Sequence, residues 1–230
     1  MDSTLEAGDA LSLPEGEARH VLKALRGRHG DVLEVVDAHR RLFLAELRGR
    51  GKAYVLVALE APDHEDLDLL SLYQAVPKGG RMDLVVEKAT EVGATRIVPL
   101  VTERGIVLPR GGKVERWRRV AEAAARQSLR LRVPDVAEPV HFSQAVRGVG
   151  GDGVLLHNAP DLEPLEAVIR DPVSLFIGPE GGWSEDELRD AEEAGLAMAQ
   201  LGPYRLRSET FGMVAVARAR AALERSVRKS

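Results

Sequence analysis

Apolar and polar positions divide this chain into two stretches of different character. Between residues 12 and 60 short apolar runs at 32–36, 42–47 and 54–59 read as strands, and Asp37-Ala38-His39-Arg40 reads as the turn of the first hairpin. A short helix over 14–25 precedes them, with Pro14 near its start and Gly27 after its end. Short strands with one helix predict a small β-barrel, with Arg40, Arg41, Arg48, Arg50 and Lys52 on its turns. From residue 70 strand-like and helix-like runs alternate. Strands are predicted at 72–76, 96–100, 154–157, 174–177 and 199–201, and helices at 82–92, 114–127, 162–170, 184–194 and 210–227. That alternation predicts an α/β domain, a parallel-type sheet covered by helices. The polar, proline-bearing stretch Ala61-Pro62-Asp63-His64-Glu65-Asp66 reads as a linker, giving domains over 1–62 and 70–230.

Two strand-loop-helix corners carry the strongest chemical signal. The first is Leu175-Phe176-Ile177-Gly178-Pro179-Glu180-Gly181-Gly182-Trp183-Ser184. Ser184 and Glu187 fit a capping box, and Trp183 and Leu188 fall where a hydrophobic staple would sit. The glycines therefore lie just outside a helix N-terminus, where they let a ligand approach the backbone. No Lys-Ser/Thr follows them, so this is not a P-loop, and the spacing is not that of a dinucleotide fold. The second corner is Leu201-Gly202-Pro203-Tyr204-Arg205-Leu206-Arg207-Ser208-Glu209-Thr210, which opens the last helix. In parallel α/β sheets ligands bind at the carboxyl ends of strands, where both corners fall.

Composition narrows the choice. Hydrophobic residues make up 44% of the chain and aromatics only 4%, which predicts a core of Leu, Val and Ala. No apolar run is long enough for a membrane span, and no signal-like start is read, so a cytoplasmic protein is expected. The absence of cysteine excludes disulfides, thiolate metal sites and a cysteine nucleophile. The six histidines have no ligand-like spacing, so no metal is expected. The net charge of −4 is unevenly spread: residues 19–52 hold nine Lys/Arg against four Asp/Glu, and 110–132 hold eight against two. Such segregation can present basic faces to nucleic acid on an acidic molecule.

Several blocks, taken in order, resemble the bacterial small-subunit ribosomal RNA uridine-N3 methyltransferase family of the SPOUT superfamily. They are Glu17-Ala18-Arg19-His20-Val21-Leu22-Lys23-Ala24-Leu25-Arg26, Lys78-Gly79-Gly80-Arg81-Met82-Asp83 through Gly93, Val98-Pro99-Leu100-Val101-Thr102-Glu103-Arg104, Gln127-Ser128-Leu129-Arg130, and the two corners. The resemblance implies an N-terminal PUA-like β-barrel followed by a SPOUT α/β domain with a C-terminal trefoil knot. It implies S-adenosyl-L-methionine held by Leu156, His157, Gly178, Pro179, Glu180, Gly181, Gly182, Leu201, Gly202 and Leu206, and a homodimer acting on ribosomal RNA or the small ribosomal subunit near its decoding region. Lys23, Arg26, Arg40 and Arg41 would grip RNA phosphates. The chain departs from the family pattern at its start, which lacks a basic segment, at Leu129, which stands in place of glycine, and at Phe211-Gly212-Met213.

The lack of cysteine favours N- or O-methylation over C5 methylation of a pyrimidine, which normally needs a covalent nucleophile. Arg207 is the first candidate to stabilise charge on a uracil oxygen, and Glu209 to accept the N3 proton or orient Arg207. N3 lies on the pairing edge, so the target uridine must be unpaired or flipped. Ribose 2′-O-methylation and a non-catalytic RNA-binding role in ribosome assembly are the alternatives on the same fold.

Overall fold

The small unit is built on alternation. The computed structural model describes residues 8–12, 18–24, 26–36, 42–50, 53–60, 69–105, 109, 111–159 and 161–227. Strands β1 (Ala10–Ser12), β2 (Val32–Val36), β3 (Leu42–Arg50) and β4 (Ala53–Glu60) pair antiparallel in the order β1-β4-β3-β2. Phe43, Ala45 and Leu47 on β3 are buried and alternate with half-buried or exposed neighbours, the period-2 pattern of a sheet with one covered face. Ala45, Leu47 and Leu56 pack with Val21 from a helical turn at His20–Ala24. Among the described residues β1 pairs only β4 and β2 only β3, giving one four-stranded antiparallel sheet with no closure into a barrel seen among them. The expected hairpin turn 37–40, the linker 61–66 and the RNA-contact candidates Arg40 and Arg41 lie outside the described residues.

The chain clusters into two compact units, Met1–Asp66 and Leu67–Ser230. The second unit holds an eight-stranded sheet, and every pairing in it is parallel. Its strands are β5 (Leu70–Ala75), β6 (Arg96–Val101), β7 (Asp135–Val136), β8 (Val140–His141), β9 (Gly153–Leu156), β10 (Glu163–Pro164), β11 (Val173–Ile177) and β12 (Ala197–Gln200). Their order is β10-β12-β9-β11-β5-β6-β7, with β8 also on β6. The central strands are apolar nearly throughout, as a sheet covered on both faces requires. Successive residues feed opposite layers. Leu72, Ile97, Val154, Leu175 and Ile177 pack with α1 (Met82–Glu91), α2 (Lys113–Gln127), α4 (Leu165–Val168) and α6 (Ser208–Val227). Tyr73, Val98, Leu155 and Phe176 face α3 (Phe142–Val149) and α5 (Glu185–Glu193).

One expectation is corrected by this layout, and one helix is added to it. The helix predicted over 162–170 is a short strand, β10, followed by the four-residue α4. Pro164 has no backbone N–H and is tolerated only at a helix start, so it marks that boundary. Helix α3, which no predicted element covers, buries Phe142, Ala145 and Val146. Leu129 stands at φ 55°, the left-handed region that favours glycine.

Candidate active site

Strands β12, β9 and β11 are neighbours and run parallel, so their carboxyl ends open at one edge. The loops after them carry the expected cofactor residues. Leu156, buried at the end of β9, accepts a hydrogen bond at its carbonyl from Trp183 Nε1 at 3.0 Å. The His157 N–H donates to the Ala199 carbonyl at 3.0 Å. The first corner is thus tied to β9, and β9 to β12.

The capping box of α5 is present as the spacing predicts. Ser184 Oγ accepts from the Glu187 N–H at 3.1 Å, and Glu187 Oε2 accepts from the Ser184 N–H at 2.9 Å. Trp183 is buried, and Leu188 packs on the same cluster. Glu187 does more than cap, because its Oε1 accepts from the Glu103 N–H at 2.8 Å and holds the loop after β6. Arg104 Nη1 donates to the Gly181 carbonyl at 3.2 Å. Glu180 Oε1 accepts from the Lys78 N–H at 3.1 Å, so its side chain is committed to the loop after β5.

The glycines of the two corners divide by cause. A Cβ on Gly178 would meet the Trp183 ring at 3.0 Å, and one on Gly181 would meet Arg104 Cβ at 3.3 Å, so both allow close packing. Gly182 at φ 70° and Gly202 at φ 121° have no atom within 4 Å of a built Cβ. These two border open volume with backbone in the left-handed region, and there a ligand can approach the chain closely. Pro179 is buried, and its carbonyl accepts from the Gly182 N–H in a tight turn.

The second corner is held from below by α6. Arg218 Nη1 donates to the Leu201 carbonyl at 2.5 Å, and Arg218 also pairs with Glu166 on α4. The Phe211 N–H donates to the Arg207 carbonyl at 2.8 Å. Leu206 is half-buried, whereas Pro203, Tyr204, Arg205 and Arg207 are exposed. Arg207 has no ion-pair partner among the described residues.

The start of α6 adds groups that sequence reasoning left unassigned. Gln74, fully buried at the end of β5, donates from Nε2 to Ser208 Oγ at 3.0 Å, and Ser208 Oγ donates to the Gly178 carbonyl at 2.8 Å. This relay joins β5, the first corner and α6. A Cβ on Gly212 would overlap the Gln74 amide, so a larger residue where α6 crosses β5 would force the Gln74 side chain to shift. Glu209 is 5% exposed, and Arg81 Nε stands 3.4 Å from its Oε1. Glu209 Oε2 and Gln74 Oε1 have no hydrogen-bond partner among the described residues. Glu209 is therefore paired with Arg81 and not with Arg207. A signal for Arg81 existed in the block Lys78-Gly79-Gly80-Arg81. Its chain neighbours Gly80 and Met82 line a cavity of about 490 Å³, together with Val76, Trp117, Lys113 and the ion pair Arg116–Asp83. Of the expected RNA contacts, Lys23 and Arg26 are both exposed, and Arg26 has φ 55°.

Among the described residues no helix is long and apolar enough to cross a membrane, and no cluster of His, Asp or Glu suits a metal ion. Residues 64–220, more than half of the chain, match the RNA methyltransferase domain family. The ribosomal RNA small subunit methyltransferase E of Synechocystis is 32% identical over 93% of this chain and 74% of its own length. That of Mycobacterium bovis is 32% identical over 93% and 87%. The crystal structure of ribosomal RNA small subunit methyltransferase E from Neisseria gonorrhoeae bound to S-adenosyl methionine is 28% identical, covers 96% of this chain and 95% of its own, and superposes with a TM-score of 0.75. The fold and site thus define an RNA methyltransferase domain. The chain belongs to the ribosomal RNA small subunit methyltransferase E family.

Proposed function

We propose that this chain is an S-adenosylmethionine-dependent methyltransferase acting on N3 of a uridine in small-subunit ribosomal RNA. The observation that carries the reading is the convergence of three parallel strand ends, bordered by Gly182 and Gly202, on the start of a helix that bears buried Glu209, with Arg207 one residue before that helix. The family relationship, with a relative solved with S-adenosyl methionine bound, supports it.

Backbone at Leu156 and His157, at 178–182 and at Leu201, Gly202 and Leu206 would hold the cofactor. Gly182 and Gly202 each border open volume, which suits a ligand lying against the backbone. Gly178 and Gly181 act through packing that shapes the wall, and Glu180 acts by fixing the loop after β5. When bound, S-adenosylmethionine supplies a methyl group on a sulfonium that leaves as a neutral thioether. The chain's own task is to place N3 in line with that methyl, and alignment of this kind removes much of a displacement barrier. The N3–H bond breaks as the N–C bond forms. Glu209 Oε2 receives the proton, with Arg81 as counter-ion, and Arg207 stabilises negative charge spreading onto the uracil oxygens.

In this reading α6 completes a trefoil knot. The chain leaves β12, passes the ends of β9 and β11, and packs α6 against β5 and β11, a return path consistent with threading. The first unit is a PUA-like RNA-binding module, with Lys23 and Arg26 on phosphates, and its affinity falls steeply with salt. The enzyme works in the cytoplasm as a homodimer whose active site lies at the subunit interface.

The test is transfer from labelled S-adenosylmethionine to small ribosomal subunits lacking the modification, followed by nucleoside mass spectrometry. The expected product is 3-methyluridine. A 2′-O-methylated nucleoside would replace the N3 assignment, and no incorporation despite cofactor binding would remove the substrate reading.

A further inference from the structure

Tyr204, in the second corner, is 81% exposed, more than any other large apolar side chain among the described residues. One exposed apolar residue needs no explanation by itself. Its setting does. Arg205 and Arg207 beside it are exposed as well. The loop is anchored at both ends, by Arg218 on the Leu201 carbonyl and by the Phe211 N–H on the Arg207 carbonyl. In the single chain the ring is therefore held outward on a loop fixed at both ends, between the candidate cofactor residues Gly202 and Leu206.

Aromatic rings interleaved with arginines suit single-stranded nucleic acid. A ring offers its face to any base, and a guanidinium pairs with phosphate or joins the stack. From Tyr204 to Arg207 the chain spans at most about 10 Å. Stacked bases on one strand are about 3.4 Å apart. A nucleotide held at Arg207 therefore has its near neighbours within reach of the Tyr204 ring. Extruding a target base leaves the adjacent base without a stacking partner, at a cost in free energy. An exposed ring at that distance can replace the lost partner.

We infer that Tyr204 is a stacking platform for the nucleobase next to the target uridine, with Arg205 engaging a flanking phosphate. This rests on the reading of the site as an RNA methyltransferase centre. It makes Tyr204 a substrate-positioning residue that acts on the RNA and not on the cofactor.

The test compares wild type with Tyr204→Ala, Tyr204→Leu, Tyr204→Phe and Tyr204→Trp on unmodified small ribosomal subunits. Steady-state methylation, cofactor affinity, oligomeric state and cofactor-free binding of the subunit by filter retention are all measured. Tyr204→Ala is expected to raise KM for the subunit roughly five- to a hundred-fold, as loss of one base stack does. Its kcat and cofactor affinity stay near wild type. Phe and Trp restore KM, and Leu, apolar but without a π face, does not. A wild-type KM for Tyr204→Ala, or full rescue by Leu, would overturn the inference. So would a change of oligomeric state with subunit affinity unchanged, which would assign the ring to a protein contact. If wild type fails to methylate the subunit yet its binding still depends on an aromatic at 204, the platform stands and the methylation reading falls.

Discussion

The two corners are built alike, each a strand, a glycine-bearing loop and a helix, yet they are finished in opposite ways. In the first, Pro179, Trp183, Ser184 and Glu187 are buried, and hydrogen bonds run to β9 and to the loops after β5 and β6. In the second, Pro203, Tyr204, Arg205 and Arg207 are exposed, and α6 holds only the ends of the loop. The first corner commits its polar groups to the protein, whereas the second commits Ser208 and Glu209 to it and leaves Arg205 and Arg207 exposed. Changes in the first should therefore cost stability, and changes in the second should cost turnover.

The largest effect is expected from Trp183→Ala, which removes a buried aromatic body and its hydrogen bond to Leu156. Such truncations cost about 3–5 kcal/mol. For a chain of this size that lowers the melting temperature by roughly 6–20 °C, which a thermal melt reads directly. An unchanged melt would break the comparison. Next comes Glu209→Gln, which keeps the shape of a buried side chain but removes the carboxylate proposed to accept the N3 proton. Loss of a positioned base lowers kcat by about a hundred-fold or more. The variant's melting temperature should stay close to wild type, because Arg81 remains partly exposed. A large fall in stability would make Glu209 a structural residue of the first kind.

Much of this contrast is legible in residue order. Ser184 with Glu187, and Trp183 with Leu188, declare a helix start by spacing alone, and the structure has both the box and the packed tryptophan. The strand at Val32–Val36 is bounded by its own pattern. What is not legible lies across the chain. Lys78 with Glu180, Glu103 with Glu187 and Gln74 with Ser208 are 102, 84 and 134 residues apart, far beyond any local period. Helix α3 was detectable from Phe142, Ala145 and Val146 on one face, but its eight residues carry a weak signal. The two-residue strands β7 and β8 exist only as pairings with β6.

A smaller effect sharpens the same contrast. Glu187→Ala removes the acceptor for both the Ser184 and Glu103 N–H groups and should cost about 2 kcal/mol, seen as a lower denaturant midpoint. The smallest effect lies beneath the second corner. Arg218 donates two hydrogen bonds of 2.5 Å to Glu166, and that bonding holds the Glu166 carboxyl below its ordinary range. A depressed folded-state pKa means that this stabilisation is present above the unfolded carboxyl's pKa of about 4.3. It is lost as pH falls through the folded value. The pair is about one-third exposed, so solvent screening keeps the effect under about 1 kcal/mol. Wild type should exceed Glu166→Gln in denaturant midpoint at neutral pH, and the two should converge in acid.

The division between the corners is tested most directly by measuring S-adenosylmethionine affinity and single-turnover methylation of small ribosomal subunits on one preparation of Arg207→Ala. Cofactor affinity within about two-fold of wild type is expected, with the methylation rate lowered roughly 100- to 1,000-fold, the cost of removing one donor aimed at developing charge. A parallel fall in affinity and rate, or a rate that does not change, would contradict the account.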